Sequence, residues 1–414
     1  MVGKGFENAA RSFARAYKLP DLRLHIVDDT VAHQGGEKLN QIAHDSVDSI
    51  ASEWSRGARE EAASNGGSQA QESLFVLDGD FAAANWQLLD RGVTDGLPVI
   101  LPTPELVERF VAASGCRGDE VIARLMPRMA DATVERIAAN VIMAGCKPEM
   151  MSILIAAVKA MENESFSINH VLTTAHTLFP LVVVNGPIAK EVGMTDGRDL
   201  TPKGWHPCAS IGRAVRLILN NCASDIETRG AFCQGHLAKV ADAITENVEQ
   251  SPWEPLHVER GFRESDSVVT VHTVEPIQMV DDHSALTAQG ILGTFGTALA
   301  CSGNRPMFGR TQHMLIFCPA HAQKVAQEGF DKKLIRDFIY EVYRMPVQSF
   351  PPESRERWSE WKKKFYGTNT MENATIPVVE NKEDLHIMVH GGPGPNSLFA
   401  PGAINHLSVS QKVA

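Results

Sequence analysis

Two kinds of hydrophobic pattern alternate along this chain. In some stretches apolar residues recur at the three-to-four spacing of one helix face; others are short apolar runs bounded by proline, glycine or asparagine. The first kind predicts helices over 5–18, 37–54, 104–113, 132–143, 150–161, 210–221, 320–328 and 333–343. The second predicts strands over 22–27, 97–101, 181–184, 268–271, 314–317 and 385–389. Thr103-Pro104-Glu105 marks a helix start, with threonine as cap and proline in the first helical position, where its missing N–H costs nothing. Alternation of the two kinds predicts an α/β fold, a layered sheet with flanking helices.

Between the first two helices and the rest, residues 55–73 are rich in Gly, Ser, Ala, Glu and Gln. That composition is a linker's, because it buries too little apolar surface to offset ordering entropy. It divides the chain into a small N-terminal α/β fragment, 1–54, and a main α/β domain, 74–414. Residues 345–376 are irregular, aromatic and charged, and are expected to wrap the surface.

Composition then narrows the function. Of 414 residues, 43% are hydrophobic and 21% charged, enough for a packed core. The net charge of −11 and the dilution of the basic run 355–364 by Glu353, Glu356 and Glu360 argue against nucleic acid as a partner. No apolar run approaches the roughly 18 residues of a membrane span, so no membrane partner is expected. Seven cysteines occur without a CxxC pair, which argues against a disulfide framework or a structural zinc site and fits a reducing, cytoplasmic setting.

Two segments concentrate chemistry on stiffened backbone. In 251–262, Glu254, His257, Glu259 and Arg260 lie between and just after Pro252 and Pro255. A histidine beside carboxylates is expected to have a raised pKa and to act as acid or base, with Arg260 pairing an anion. The bland alternative is an ion-pair loop. In 390–396, His390, Gly391, Gly392, Gly394 and Asn396 form a glycine-rich turn after a strand, where backbone N–H groups could cradle an anion or carboxylate; a plain tight turn is the alternative. The histidine of the first segment and the glycine turn of the second are expected to line one pocket. Asn185, at the end of an apolar run, is placed either to orient a ligand or to cap the next helix. Cys146, beside Lys147, and Cys208, near His206, each precede a predicted helix and could be acidified into nucleophiles; Cys301 and Cys318, in apolar surroundings, are expected to be inert. Gly290, Gly293, Gly296 and Gly303 form a glycine-rich stretch without a GxGxxG pattern. No residue set has metal-ligand spacing, and no cofactor is indicated.

Several stretches together resemble the large component associated with UGSC-motif proteins, a family named for a selenocysteine- or cysteine-Gly-Ser-Cys motif. They are Thr94 to Thr103, Ala132 to Asn140, Val141 to Glu149, Val184 to Ala189, Ile211 to Arg216 and, longest, Ser-Pro-Trp-Glu-Pro-Leu-His-Val-Glu-Arg-Gly-Phe from Ser251 to Phe262. The likeness spans about residues 85–400, and 3–54 resemble the part of the small component that follows its redox motif. The resemblance implies thiol or selenol redox chemistry, yet no Cys-Gly-Ser-Cys occurs in this chain.

Taken together the chain reads as a cytosolic enzyme, or enzyme component, acting on a small anionic or carbonyl-bearing metabolite, in the setting of a specialised pathway. His257 with Glu254 or Glu259 would move the proton, and Cys146 or Cys208 would serve any covalent step. A redox protein or a second copy of the chain could be a partner. The competing reading is a non-catalytic subunit that docks a redox partner.

Overall fold

The computed structural model describes residues 2–4, 7–16, 19, 22–27, 36–55, 76–174, 176–197, 202–224, 242–301, 309–356 and 375–414. The N-terminal fragment has strand β1 (Val2–Gly3), helix α1 (Glu7–Ala16), strand β2 (Ile26–Val27) and helix α2 (Gly36–Ser55), with β1 and β2 paired in parallel. Beyond Ser55, the linker expected at 55–73 lies outside the described residues.

Helices α3 (Phe81–Asp90) and α4 (Pro104–Ser114) lead into a hairpin of β3 (Val121–Leu125) and β4 (Ala130–Thr133), then α5 (Val134–Met143), α6 (Met151–Glu162) and α7 (Ile168–Thr173). Next come β5 (Phe179–Asn185), α8 (Pro187–Glu191), α9 (Pro202–Ile218), β6 (Ala243–Thr245), α10 (Leu256–Glu259), β7 (Val268–Val274) and β8 (Gln278–Asp281). The chain closes with α11 (Ala288–Leu299), β9 (His313–Phe317), α12 (Pro319–Gln327), α13 (Lys332–Val342), β10 (Arg344–Pro346), β11 (Thr375–Pro377), β12 (Leu385–Val389), β13 (Asn396–Ala400) and β14 (Val409–Lys412).

Two four-stranded mixed sheets, ordered β14-β7-β5-β6 and β12-β9-β13-β8, form the body. The pleat sends alternate side chains to opposite faces. On β5, Val182 and Val184 pack under α5, α6 and α9, while Phe179, Leu181 and Val183 point the other way. There they meet Met314 and Ile316 of β9 and Met388 of β12. On those strands Leu315, Phe317, Leu385, Ile387 and Val389 pack under α11, α12 and α13. The result is four layers: helices, sheet, sheet, helices. Because both faces of each central strand are covered, β5 and β9 read as unbroken apolar runs rather than alternating ones. The expected α/β fold with flanking helices is present.

Three local expectations need correction. Residues 97–101 form no strand; Pro98 lacks an N–H for a ladder, Leu97 and Ile100 are exposed, and Val99 N–H instead donates to Asn85 Oδ1 at 2.7 Å. Of 22–27 only Ile26–Val27 pairs. The helix expected at 210–221 begins at Pro202 and runs through Pro207, so Cys208 lies inside it rather than ahead of it. Gly290, Gly293 and Gly296 lie in helix α11, and Gly303 lies outside the described residues. Gly293 and Gly296 make a flat face for the Tyr343 ring, since a Cβ on Gly296 would sit 2.1 Å from Tyr343 Cγ.

Candidate active site at the strand ends

Strands β5 and β6 run parallel in one sheet and β9 and β12 in the other, and their carboxyl ends carry the polar residues. β5 ends at Asn185, and Glu246 follows β6 directly. His390 follows β12. In open α/β sheets ligands bind outside such strand ends. The two sheets are stitched here: Asn247 N–H donates to the Val389 carbonyl at 2.8 Å and Asn247 Nδ2 to the Gly391 carbonyl at 3.0 Å.

Glu246 is the centre of this corner, 5% exposed. Its Oε2 accepts from Asn185 Nδ2 and from the Leu256 backbone N–H, both at 2.8 Å. Its Oε1 and the Asn185 Oδ1 are buried without a partner. Burial pushes the Glu246 carboxyl above its ordinary pKa, outweighing the field of Lys332 and the donors around it. Asn185 therefore binds a carboxyl group rather than capping α8.

His390 complements it. Its Nδ1 lies 2.8 Å from the Thr245 carbonyl, which can only accept, so Nδ1 carries the proton and Nε2 keeps its lone pair. Burial holds the ring below its ordinary pKa, against the pull of the Thr245 carbonyl and Asp196. The loop that bears it is pinned: Gly391 N–H donates to the Asp196 carbonyl at 2.6 Å, and His390 N–H to the Phe317 carbonyl at 2.9 Å. Gly197 must be glycine for this approach, because a Cβ there would lie 2.7 Å from Gly391 Cα and 3.2 Å from His390 Nε2.

The glycine turn thus departs from the expected anion cradle. Two of its leading amides are committed to backbone carbonyls, and the Gly391 carbonyl is itself taken by Asn247 Nδ2. Gly391 and Gly394 take φ of +97° and +138°, as a turn requires, whereas Gly392 does not enter the left-handed region. Asn396 is exposed and opens β13 opposite Asp281.

The proline-stiffened segment meets this corner through one bond, Leu256 to Glu246, so both loops hang from Glu246–Asn247. Its charged residues do other work. Glu259 is held by Lys332 Nζ at 2.8 Å and by Arg336; burial would raise its pKa, but the two cations outweigh it and hold it low. Arg260 is tied between the sheets, to Ser410 Oγ at 2.5 Å, Ser408 Oγ at 2.9 Å and the Ser408 carbonyl at 2.8 Å. Glu254 is exposed. His257 is 1% exposed, and burial lowers its pKa despite Glu264 and Asp266, the reverse of the expected rise. Its Nε2 reaches the Glu264 carbonyl at 3.4 Å and its Nδ1 is buried without a partner. Glu259 is thus in an ion pair, but with Lys332 and Arg336 of α13 rather than with Arg260, and for Arg260 a hydroxyl clamp replaces the anion.

The thiols depart further. Cys146 is buried, and desolvation pushes its pKa up to about 12, against Ser210 and Arg213; Lys147 does not rescue it. Burial also raises Cys208, which points at the Thr195 carbonyl 3.9 Å away. Cys301 is exposed rather than enclosed, while Cys318 is buried and caps α12.

Glu246, Asn247 and Asp196 were not singled out in the sequence. The one available signal was a carboxylate directly after the short apolar run Ala243-Ile244, and that run is too brief to read as a strand. Among the described residues no group of three or more His, Cys, Asp or Glu is placed to hold a metal ion, and no helix is long and apolar enough to cross a membrane. No protein-family model matches the chain, and no curated protein matches it.

Proposed function

We propose that the protein is an enzyme acting on a small, carbonyl-bearing metabolite by acid–base chemistry at the corner formed by Asn185, Glu246, Asn247 and His390. The observation that carries this is Glu246: a buried carboxyl with one free oxygen at the ends of parallel strands, preceded by Thr245, whose carbonyl holds the Nδ1 proton of His390 and so leaves Nε2 as a base. Burial raises the acid and lowers the base, so at neutral pH the carboxyl can hold a proton to give and the imidazole is neutral and able to take one. The 251–262 segment reaches Glu246 through the Leu256 N–H, and the 390–396 turn reaches Asn247 through the Gly391 carbonyl, which favours an enzyme over a docking subunit. A carbonyl group suits the corner better than an anion. The cation whose field reaches Glu246 is Lys332, and it is already bonded to Glu259. The resemblance to UGSC-associated proteins would add thiol chemistry, but Cys146 and Cys208 offer no acidified thiol. Cytoplasmic location and a specialised pathway belong to the same proposal.

The test begins with metabolite profiling of a strain lacking the gene. Purified wild-type protein is expected to consume the compound that accumulates. Glu246→Gln and His390→Asn are expected to lower kcat by about 100-fold or more, the usual worth of one general acid or base. Full activity in both variants would overturn the acid–base reading.

A further inference from the structure

We propose that Glu246 stands as a neutral carboxylic acid in the resting protein, its proton held against Asn185, and that it is the proton donor of this corner. The proposal deepens the function above, but the protonation state is argued and tested independently of it.

The hydrogen-bond inventory is one-sided. Oε2 of Glu246 accepts two bonds, from Asn185 Nδ2 and Leu256 N–H. Oε1 has no partner within hydrogen-bond distance, the backbone of Val389 adding only a weak pull toward the ionised form, and Asn185 Oδ1, on the same amide, accepts none. Both residues are almost wholly enclosed, 5% and 1% exposed. With Glu246 ionised, two buried acceptors stand without a donor, a state that native proteins avoid. One added proton resolves both at once. It turns Oε1 into a donor, and the amide already lies alongside the carboxyl through its Nδ2 contact. An acid and an amide so placed pair cyclically, N–H to one oxygen and O–H to the other.

The surrounding charges permit this. The titratable groups around the corner are Lys332 at the start of α13, His257 in α10, and His390 and Asp196 in the adjoining loops. Lys332 favours the ionised form, but its ammonium is bonded to Glu259 Oε2 at 2.8 Å. Desolvation of Glu246 outweighs Lys332. In turnover the proton on Oε1 passes to an oxygen of the substrate while His390 Nε2 takes one from it. Glu246 is left as carboxylate and His390 as imidazolium, and solvent restores both.

Infrared spectroscopy reads the state directly. At neutral pH the wild-type minus Glu246→Gln difference spectrum is expected to contain the C=O stretch of an un-ionised carboxylic acid, moving to lower frequency in D2O. In Asn185→Ala the same band is expected to persist at higher frequency, which serves if the Gln variant does not fold. Asp242, another acid whose pKa burial raises, to about 7, is separated by Asp242→Asn. A wild-type protein whose acid band is unchanged by both Glu246→Gln and Asn185→Ala overturns the proposal. So does a Glu246→Gln enzyme of undiminished activity. An inactive Glu246→Gln enzyme without the band would leave acid–base catalysis standing, with Glu246 as an ionised base.

Discussion

At the scale of single residues, burial decides what each titratable group can do. Glu259 shows the cost of the alternative. It is the counter-ion of Lys332, whose side chain is 7% exposed, and of Arg336. Glu259→Gln is expected to destabilise the fold by about 3 kcal/mol, because buried Lys332 and half-buried Arg336 lose their carboxylate; urea denaturation measures it, and a loss below about 1 kcal/mol would contradict the ion-pair role. The thiols give a second expectation. In native protein at neutral pH, iodoacetamide should modify exposed Cys301 well before Cys146 and Cys222, whose pKa values burial pushes up to about 12 and about 11. Peptide mapping that finds Cys146 among the first modified would restore it as a nucleophile.

At the scale of elements, caps and glycines carry the local logic. Asp331 caps α13, accepting from Leu334 N–H at 2.7 Å, and so sets the position of Lys332 and Arg336. Asp331→Ala is expected to cost about 1 kcal/mol, the usual worth of such a cap. In α11 propensity and packing oppose each other. Gly296→Ala should gain up to about 1 kcal/mol of helix propensity. The new methyl group, however, would occupy the space of the Tyr343 ring, and overpacking of this kind costs about 1–3 kcal/mol. The expected net result is a lowered Tm, checked by calorimetry. An unchanged or raised Tm would mean that Tyr343 moves aside freely.

At the scale of the whole molecule, the interior carries a set of neutral histidines. Burial lowers His272 to about 3, and His313 and His406 to about 4. In the unfolded chain each would titrate near 6.5. Their contribution is therefore complete above about pH 6.5 and is lost as pH falls from there toward 4, by up to about 1.4 kcal/mol per unit for each histidine. The urea midpoint should fall steeply between about pH 6.5 and pH 4.5, with replacement of His272 by a neutral residue flattening the slope. A midpoint that is level across that range would show that these rings are not held neutral by the fold.

The sequence by itself determined the elements and the class of fold. Helices 104–113, 150–161 and 333–343 and strands 181–184, 268–271, 314–317 and 385–389 were legible because hydrophobic periodicity and capping are local properties. Asn185 and His390 were legible as candidates for the same reason, since each follows an apolar run. What only the tertiary structure decided was which polar groups meet and how dry they are. Glu246 lies 61 positions from Asn185, and no spacing rule connects them. The depressed His257, the raised Cys146 and the clamp on Arg260 likewise follow from desolvation and from partners such as Ser408, 148 positions away. Lys147 beside Cys146, and Glu259 two residues from His257, are neighbours in the chain that had suggested the opposite shifts. Charge proximity in sequence acts through a few ångströms of solvent, whereas burial between layers removes that solvent, and in this molecule burial is the stronger of the two.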